Sequence, residues 1–163
     1  MRRVYSIALL TLLLVGGVRV GYARSGMRAQ TGKVKVYLVA LGDNGKRGKK
    51  IGCEDSLVAV TRRIKPTAAP LRAALDELLS MPKEYKADSS LSNYWVGSNL
   101  RVKSVAVRKG TATIHIIGEG PSIAGICDEP RVISQIEETA RQFPTVKRVR
   151  VFVNGQRLED AIR

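Results

Sequence analysis

Apolar residues change their spacing repeatedly along this chain, from every second position to the helical three-and-four pattern and back. That alternation restricts the fold more than any other feature. Val34, Val36, Leu38 and Ala40 alternate in KVKVYLVAL, which predicts a strand, and the β-branched run SLVAVTRRI over 56–64 predicts a second. The period then switches. Leu71, Ala74, Leu75, Leu78 and Leu79 fall on one helical stripe, with Thr67 placed to cap, Pro70 in the first turn and Pro82 as the stop. Residues 83–99 are polar and read as a long surface loop. Residues 100–108 and 111–117 form a hairpin across Lys109-Gly110, with a phase slip that places a bulge near Lys103-Ser104. Asp128 and Pro130 open a second helix with Ile133, Ile136, Ala140 and Phe143 inward, and Pro144 ends it. Val149, Val151 and Val153 make a last strand before the turn Asn154-Gly155. The β-β-α-β-β-α-β order predicts an α+β fold, a mixed sheet with two helices packed on one face.

The N-terminus reads differently. Arg2 and Arg3 precede an apolar stretch from Tyr5 to Val18, and Gly21-Tyr22-Ala23 offers a small-residue cleavage site. The stretch is shorter than the ~20 residues a membrane-spanning helix needs. We therefore expect residues 1–23 to be a cleaved signal peptide for secretion, the alternative being an uncleaved membrane anchor. A loose tail over 24–32, a domain over 33–156 and an extension over 157–163 would follow. Export changes the meaning of Cys53 and Cys127, the two cysteines of the chain. They could form a disulfide, as an oxidising compartment permits, or lie apart as two buried thiols; spacing alone does not choose.

The residues resemble the sporulation and spore germination (GerMN) domain. The likeness rests on Arg62 after a Val-rich strand, the helix bearing Leu71, Leu75 and Leu78, and the paired strands LRVKSVAVRKGTATIHI. It is clearest in the tail, with Gln135, Ile136, Thr139, Phe143-Pro144, Val146, the alternating valines, Asn154 and Gly155. The resemblance covers about residues 33–156. It implies an extracytoplasmic, non-catalytic module that assembles through an envelope protein partner or by self-association, in sporulation-type or envelope complexes. It brings no catalytic residue, metal or cofactor.

Residue chemistry agrees. His115 and Cys127 are the sole candidates for a base and a nucleophile, and His115 alternates with Ile114 and Ile116 and so points off the core. Gly118–Gly125 lacks the lysine and spacing of a phosphate loop. Glu54, Asp55, Asp128 and Glu129 flank the cysteines and could offer oxygen ligands to Ca²⁺, although capping and solvation explain them more simply. Charge is harder to dismiss, since 28 Lys+Arg face 14 Asp+Glu. Lys46, Arg47, Lys49, Lys50, Arg62 and Arg63 crowd a loop and the strand leaving it, and Lys147, Arg148 and Arg150 add to the last strand. An alternative reading is a binding module whose basic patch attracts anionic wall polymers or lipid headgroups. Nucleic acid is set aside, because 111–117 carries no ring for a base to stack on and the N-terminus carries an export signal.

Overall fold

The computed structural model describes residues 32–162; the expected signal peptide, and all of the expected tail except Gly32, lie outside the described residues. Eleven elements follow in order: β1 (Lys33–Ala40), β2 (Lys49–Lys50), β3 (Ser56–Arg63), α1 (Pro70–Ser80), β4 (Leu91–Ser92), β5 (Arg101–Arg108), β6 (Thr111–Ile117), α2 (Asp128–Arg141), β7 (Arg148–Val153), β8 (Gln156–Arg157) and α3 (Leu158–Ala161). The class is α+β, as expected. The strands divide, however, into two four-stranded sheets, β2-β3-β1-β4 and β5-β6-β7-β8, instead of lying in one. The first is antiparallel throughout. The second is mixed, because β6 and β7 are parallel and α2 crosses between them.

The physical reason for the split is visible on β1. Beyond its short pairing with β4, the edge of β1 opposite β3 is taken by side chains of α2. Gln142 accepts from the Lys35 N–H at 2.8 Å and donates to the Lys35 carbonyl at 2.6 Å. Thr139 accepts from the Tyr37 N–H, and Gln135 donates to the Tyr37 carbonyl at 2.9 Å. A helix thus stands in for a neighbouring strand, satisfies groups that would otherwise template aggregation, and keeps the second sheet from joining.

One core unites the layers. Val34, Val36 and Leu38 of β1, Leu71, Leu75 and Leu78 of α1, Ile114 and Ile116 of β6, Val132 and Ile136 of α2, and Val151 and Val153 of β7 are buried in a single cluster. Helix α1 packs on β1 and β5, and α2 on β1 and β7. Both short hairpins use left-handed pairs, Lys109-Gly110 (φ 47° and 76°) and Asn154-Gly155 (φ 50° and 90°), whose twist matches the flanking strands. The bulge falls where expected, with the register shifting between Val102 and Ser104.

Four local expectations are corrected. Residues 83–99 are no surface loop: β4 lies within them, and Leu91, Asn93 and Trp95 are buried. The Asn93 amide explains how a polar stretch can go inside. Its Nδ2 donates to the Leu78 and Met81 carbonyls at 3.0 Å, closing the end of α1, and its Oδ1 accepts from Trp95 N and Gln135 Nε2. Trp95 Nε1 donates to the Val132 carbonyl. Residues after 156 are no appendage either, since Leu158 and Ile162 enter the common core. The helix caps differ as well. Asp128 is the first residue of α2 after Cys127, and Thr67 accepts from the Ala69 N–H ahead of α1. Finally, Val132 rather than Ile133 is the fully buried position at the start of α2.

Candidate interaction surfaces

Cys53 and Cys127 are joined as a disulfide, with Cα atoms 5.8 Å apart across 74 residues of sequence. It ties the loop before β3 to the start of α2. Beside it sits a charged corner that the sequence did not reveal. Asp55 is 1% exposed; its Oδ1 accepts from the Gly42 N–H at 2.9 Å and its Oδ2 from Arg131 Nε at 2.6 Å. The same guanidinium donates to Asp128 at 3.0 Å and lies 5.1 Å over the Tyr94 ring. Burial works against the Arg131 charge, but its bonds to Asp55 and Asp128 raise its pKa above the ordinary value. Burial also pushes the Asp128 carboxyl up, and the Ala124 N–H with Arg131 more than offsets it, leaving that group below the usual range. Asp55 and Asp128, weighed as calcium ligands, therefore share a guanidinium. Among the described residues no cluster of three metal-ligating side chains occurs.

His115 stacks on Phe152 with ring centroids 4.9 Å apart, on the outward side of β6. Cys127 has its sulfur in the disulfide. The one nucleophile–base pairing the sequence could offer is therefore not assembled. Phe152 thus adds a phenyl ring beside the His115 imidazole on this face.

The six basic residues do not form one patch. Lys49 and Lys50 pair with Leu57 and Ser56 at one end of β3, while Arg62 and Arg63 stand at the other end, opposite Val34 and Lys33. Leu57 and Arg62 are five residue steps apart along the strand, about 17 Å at strand rise. Three of the six are also in ion pairs. Arg47 meets Asp88 and Ser90, Lys49 meets Glu138 at 2.6 Å, and Arg62 meets Glu77 at 3.0 Å. Lys46, Lys50 and Arg63 are exposed.

Two surfaces remain. The first is a groove of roughly 350 Å³ between the start of α1, the edge strand β5 and the end of α2, lined by Pro70, Leu71, Val105, Val107, Phe143 and Pro144. Arg72 donates to the Val102 and Lys103 carbonyls and so covers the bulged part of the β5 edge. Past the bulge, strand β5 has no neighbouring strand on its outer side among the described residues, and Val107 is 40% exposed. The second is the outward face of the sheet β5-β6-β7-β8. Register places Arg108, Thr111 and Arg148 in one row, Ala106, Thr113 and Arg150 in the next, then Ser104, His115, Phe152 and Arg157. The signal was present in the sequence as positions alternating with Val149, Val151 and Val153. What it lacked was the pairing that sets strands side by side.

No helix among the described residues is long and apolar enough to cross a membrane. Comparison with curated proteins yields no match. Among solved structures, the chain is similar to the first GerMN domain of the sporulation protein GerM from Bacillus subtilis, at 19% identity and TM-score 0.54, covering 78% of this chain and 86% of that one. It is likewise similar to the tandem GerMN domains of that protein, at 24% identity and TM-score 0.54, covering 81% of this chain and 43% of the tandem chain. Residues 35–159 match the family Germane, described as sporulation and spore germination. With that match spanning most of its length, the chain belongs to the Germane (GerMN) family of sporulation and spore germination domains.

Proposed function

We propose that this protein is a non-catalytic module that works outside the cytoplasmic membrane, in envelope or sporulation-type assembly, by docking a partner protein along β5. The observation that carries this reading is the outer edge of β5, unpaired among the described residues, beside an apolar groove. A strand edge offers a row of backbone donors and acceptors, and pockets beside it select side chains at alternate positions. Native proteins usually blunt such an edge, as α2 does for β1 here, so one left bare next to exposed Val107 marks a contact surface. Arg72, Lys103 and Arg108 along it favour a segment with acidic residues flanking its apolar ones. The signal-peptide pattern of residues 1–23, the disulfide and the family membership support an extracytoplasmic setting.

The test is a photo-crosslinking residue placed at Val107 in the expressing cell, with the exposed position Ser80 as the control. The reading expects a discrete protein adduct at 107 that is lost on adding Val105→Glu and is absent at 80. Equal adducts at both positions, or none at 107, contradict it. N-terminal sequencing of the same material should begin at Arg24. The alternative of one basic patch at 46–63 has less support, because its charges are divided and half of them are already paired.

A further inference from the structure

We infer that the outward face of the sheet β5-β6-β7-β8 is a binding surface for an extended anionic glycopolymer, gripped by Arg108, Arg148 and Arg150 around the His115–Phe152 stack. The inference is separate from the docking groove and shares with it only Arg108, at the corner of the two surfaces, and the expectation of export.

The first argument is placement. Arg148 and Arg150 project from the same side of β7, about 6.6 Å apart along the strand. Arg108 lies in the Arg148 row two strands away, about 9.6 Å across the sheet. All three side chains are exposed. Arg101 and Lys109 stand at the ends of β5, and Lys147 at the start of β7.

The second is the lack of compensation. The carboxylates of the described residues engage Arg47, Lys49, Arg62, Arg72, Arg131, Arg141 and Arg157, and none of these pairs involves Arg108, Arg148 or Arg150. Within the face, Arg148 Nε donates to the neutral Thr111 hydroxyl at 3.2 Å. Close like charges repel unless a polyanion relieves them. Guanidinium groups suit phosphate and carboxylate oxygens, which they bind through paired N–H donors.

The third is the aromatic stack set among the cations. His115 and Phe152 are stacked at an interplanar angle of 12°, on the row next to Arg150. A flat ring face beside guanidinium groups fits a polymer that alternates rings with anions. A membrane fits less well. Surfaces that enter a bilayer set apolar side chains among their cations, and here the neighbours are Ser104, Ala106, Thr111 and Thr113. The exposed large apolar residues Leu41, Val107 and Ile126 belong elsewhere.

The test uses the full chain as purified from the expressing cell, with four probes at matched charge concentration. These are a glycosylated poly(glycerol phosphate), polyphosphate, single-stranded DNA, and vesicles of phosphatidylglycerol and phosphatidylcholine. Three phosphate contacts imply a log–log salt slope near −2, hence about a twentyfold loss of affinity between 50 and 200 mM salt. Arg148→Glu/Arg150→Glu should weaken glycopolymer binding at least about tenfold and flatten that slope by about 1.4. Lys46→Glu/Lys50→Glu makes the same change in net charge on the other sheet and should leave binding within about threefold. Thermal melts of both variants should match wild type, since none of these four side chains is in an ion pair. Phe152→Ser should reduce glycopolymer binding more than polyphosphate binding. Equal effects of the two double variants overturn the inference, because binding then follows net charge. Tighter binding to DNA than to glycopolymer overturns it in favour of nucleic acid, and binding to vesicles without glycopolymer overturns it in favour of a membrane.

Discussion

Replacing Arg131 by Met should destabilise the protein far more than any other removal of a positive charge. Asp55 is 1% exposed, and its two oxygens are held by the Gly42 N–H and by Arg131 Nε at 2.6 Å. Deleting the guanidinium leaves a buried carboxylate with a single neutral donor. Loss of one partner of a buried pair costs roughly 3–5 kcal/mol, against about 0.2–1 kcal/mol for an exposed pair. The stacking of Arg131 over Tyr94 at 5.1 Å adds about 0.5–1 kcal/mol. For a domain of this size each kcal/mol moves the melting temperature by about 3–5 °C, so a fall on the order of 10–30 °C is expected. Asp55→Asn keeps an acceptor for Gly42 and removes the buried charge. Asp55→Asn/Arg131→Met should therefore be less destabilised than Arg131→Met alone, with a coupling of about 2 kcal/mol in urea unfolding. If Arg131→Met costs less than about 1 kcal/mol, or the second substitution gives no rescue, the buried pair does not hold this corner.

Three further outcomes are expected. Cys53→Ala/Cys127→Ala opens a loop spanning 74 residues and should cost up to about 4.5 kcal/mol by loop entropy; intact mass after alkylation, with and without reductant, confirms the bond first. Asn93→Leu leaves the Met81 carbonyl, the Trp95 N–H and one Gln135 donor without their partner, and the Leu78 carbonyl with the Met81 N–H alone, so a loss of about 2–4 kcal/mol should appear in denaturant unfolding with the fold retained in far-UV circular dichroism. Asp43, held down chiefly by the Ser56 hydroxyl, Asp88, held down by Ser90 and then Arg47, and Asp128 all have lowered pKa values. Their stabilisation is present above the unfolded aspartate value of about 3.9 and is lost as pH falls through the lower folded values. Burial raises Asp76 and Glu137 instead, so their contribution is present below the unfolded values and lost as pH rises through the folded ones. Asp128→Asn should accordingly flatten the decline in stability between about pH 4 and 2, read by thermal melts across that range.

Elements with a strong period were legible in the sequence. β1, α1, the β5–β6 hairpin, α2 and β7 all appear within a few residues of where their apolar spacing placed them, because spacing alone decides which face meets the core. Trp95 and Asn93 were not legible. A short polar stretch reads as loop unless one knows that an amide will close the end of α1 and that Gln135 will meet it. The split into two sheets was hidden for the same reason, since Gln135, Thr139 and Gln142 look like an ordinary polar stripe until they bond to β1. For the surfaces, density along the chain misled. Lys46 to Arg63 are near in sequence and far apart in space, whereas Arg108 and Arg148 are forty positions apart and share a row. Only strand pairing converts one kind of proximity into the other.

Docking of a protein on β5 through the apolar groove can be read from attachment of the chain to the envelope fraction across a salt series. Wild type, Val107→Glu and Arg148→Glu/Arg150→Glu are compared between 0.05 and about 1 M salt, where screening reaches about 3 Å. Such docking leaves a wild-type fraction that survives high salt and vanishes in Val107→Glu, while a second fraction fades with salt and is missing from the arginine variant. Retention of Val107→Glu at wild-type level in 1 M salt would contradict it.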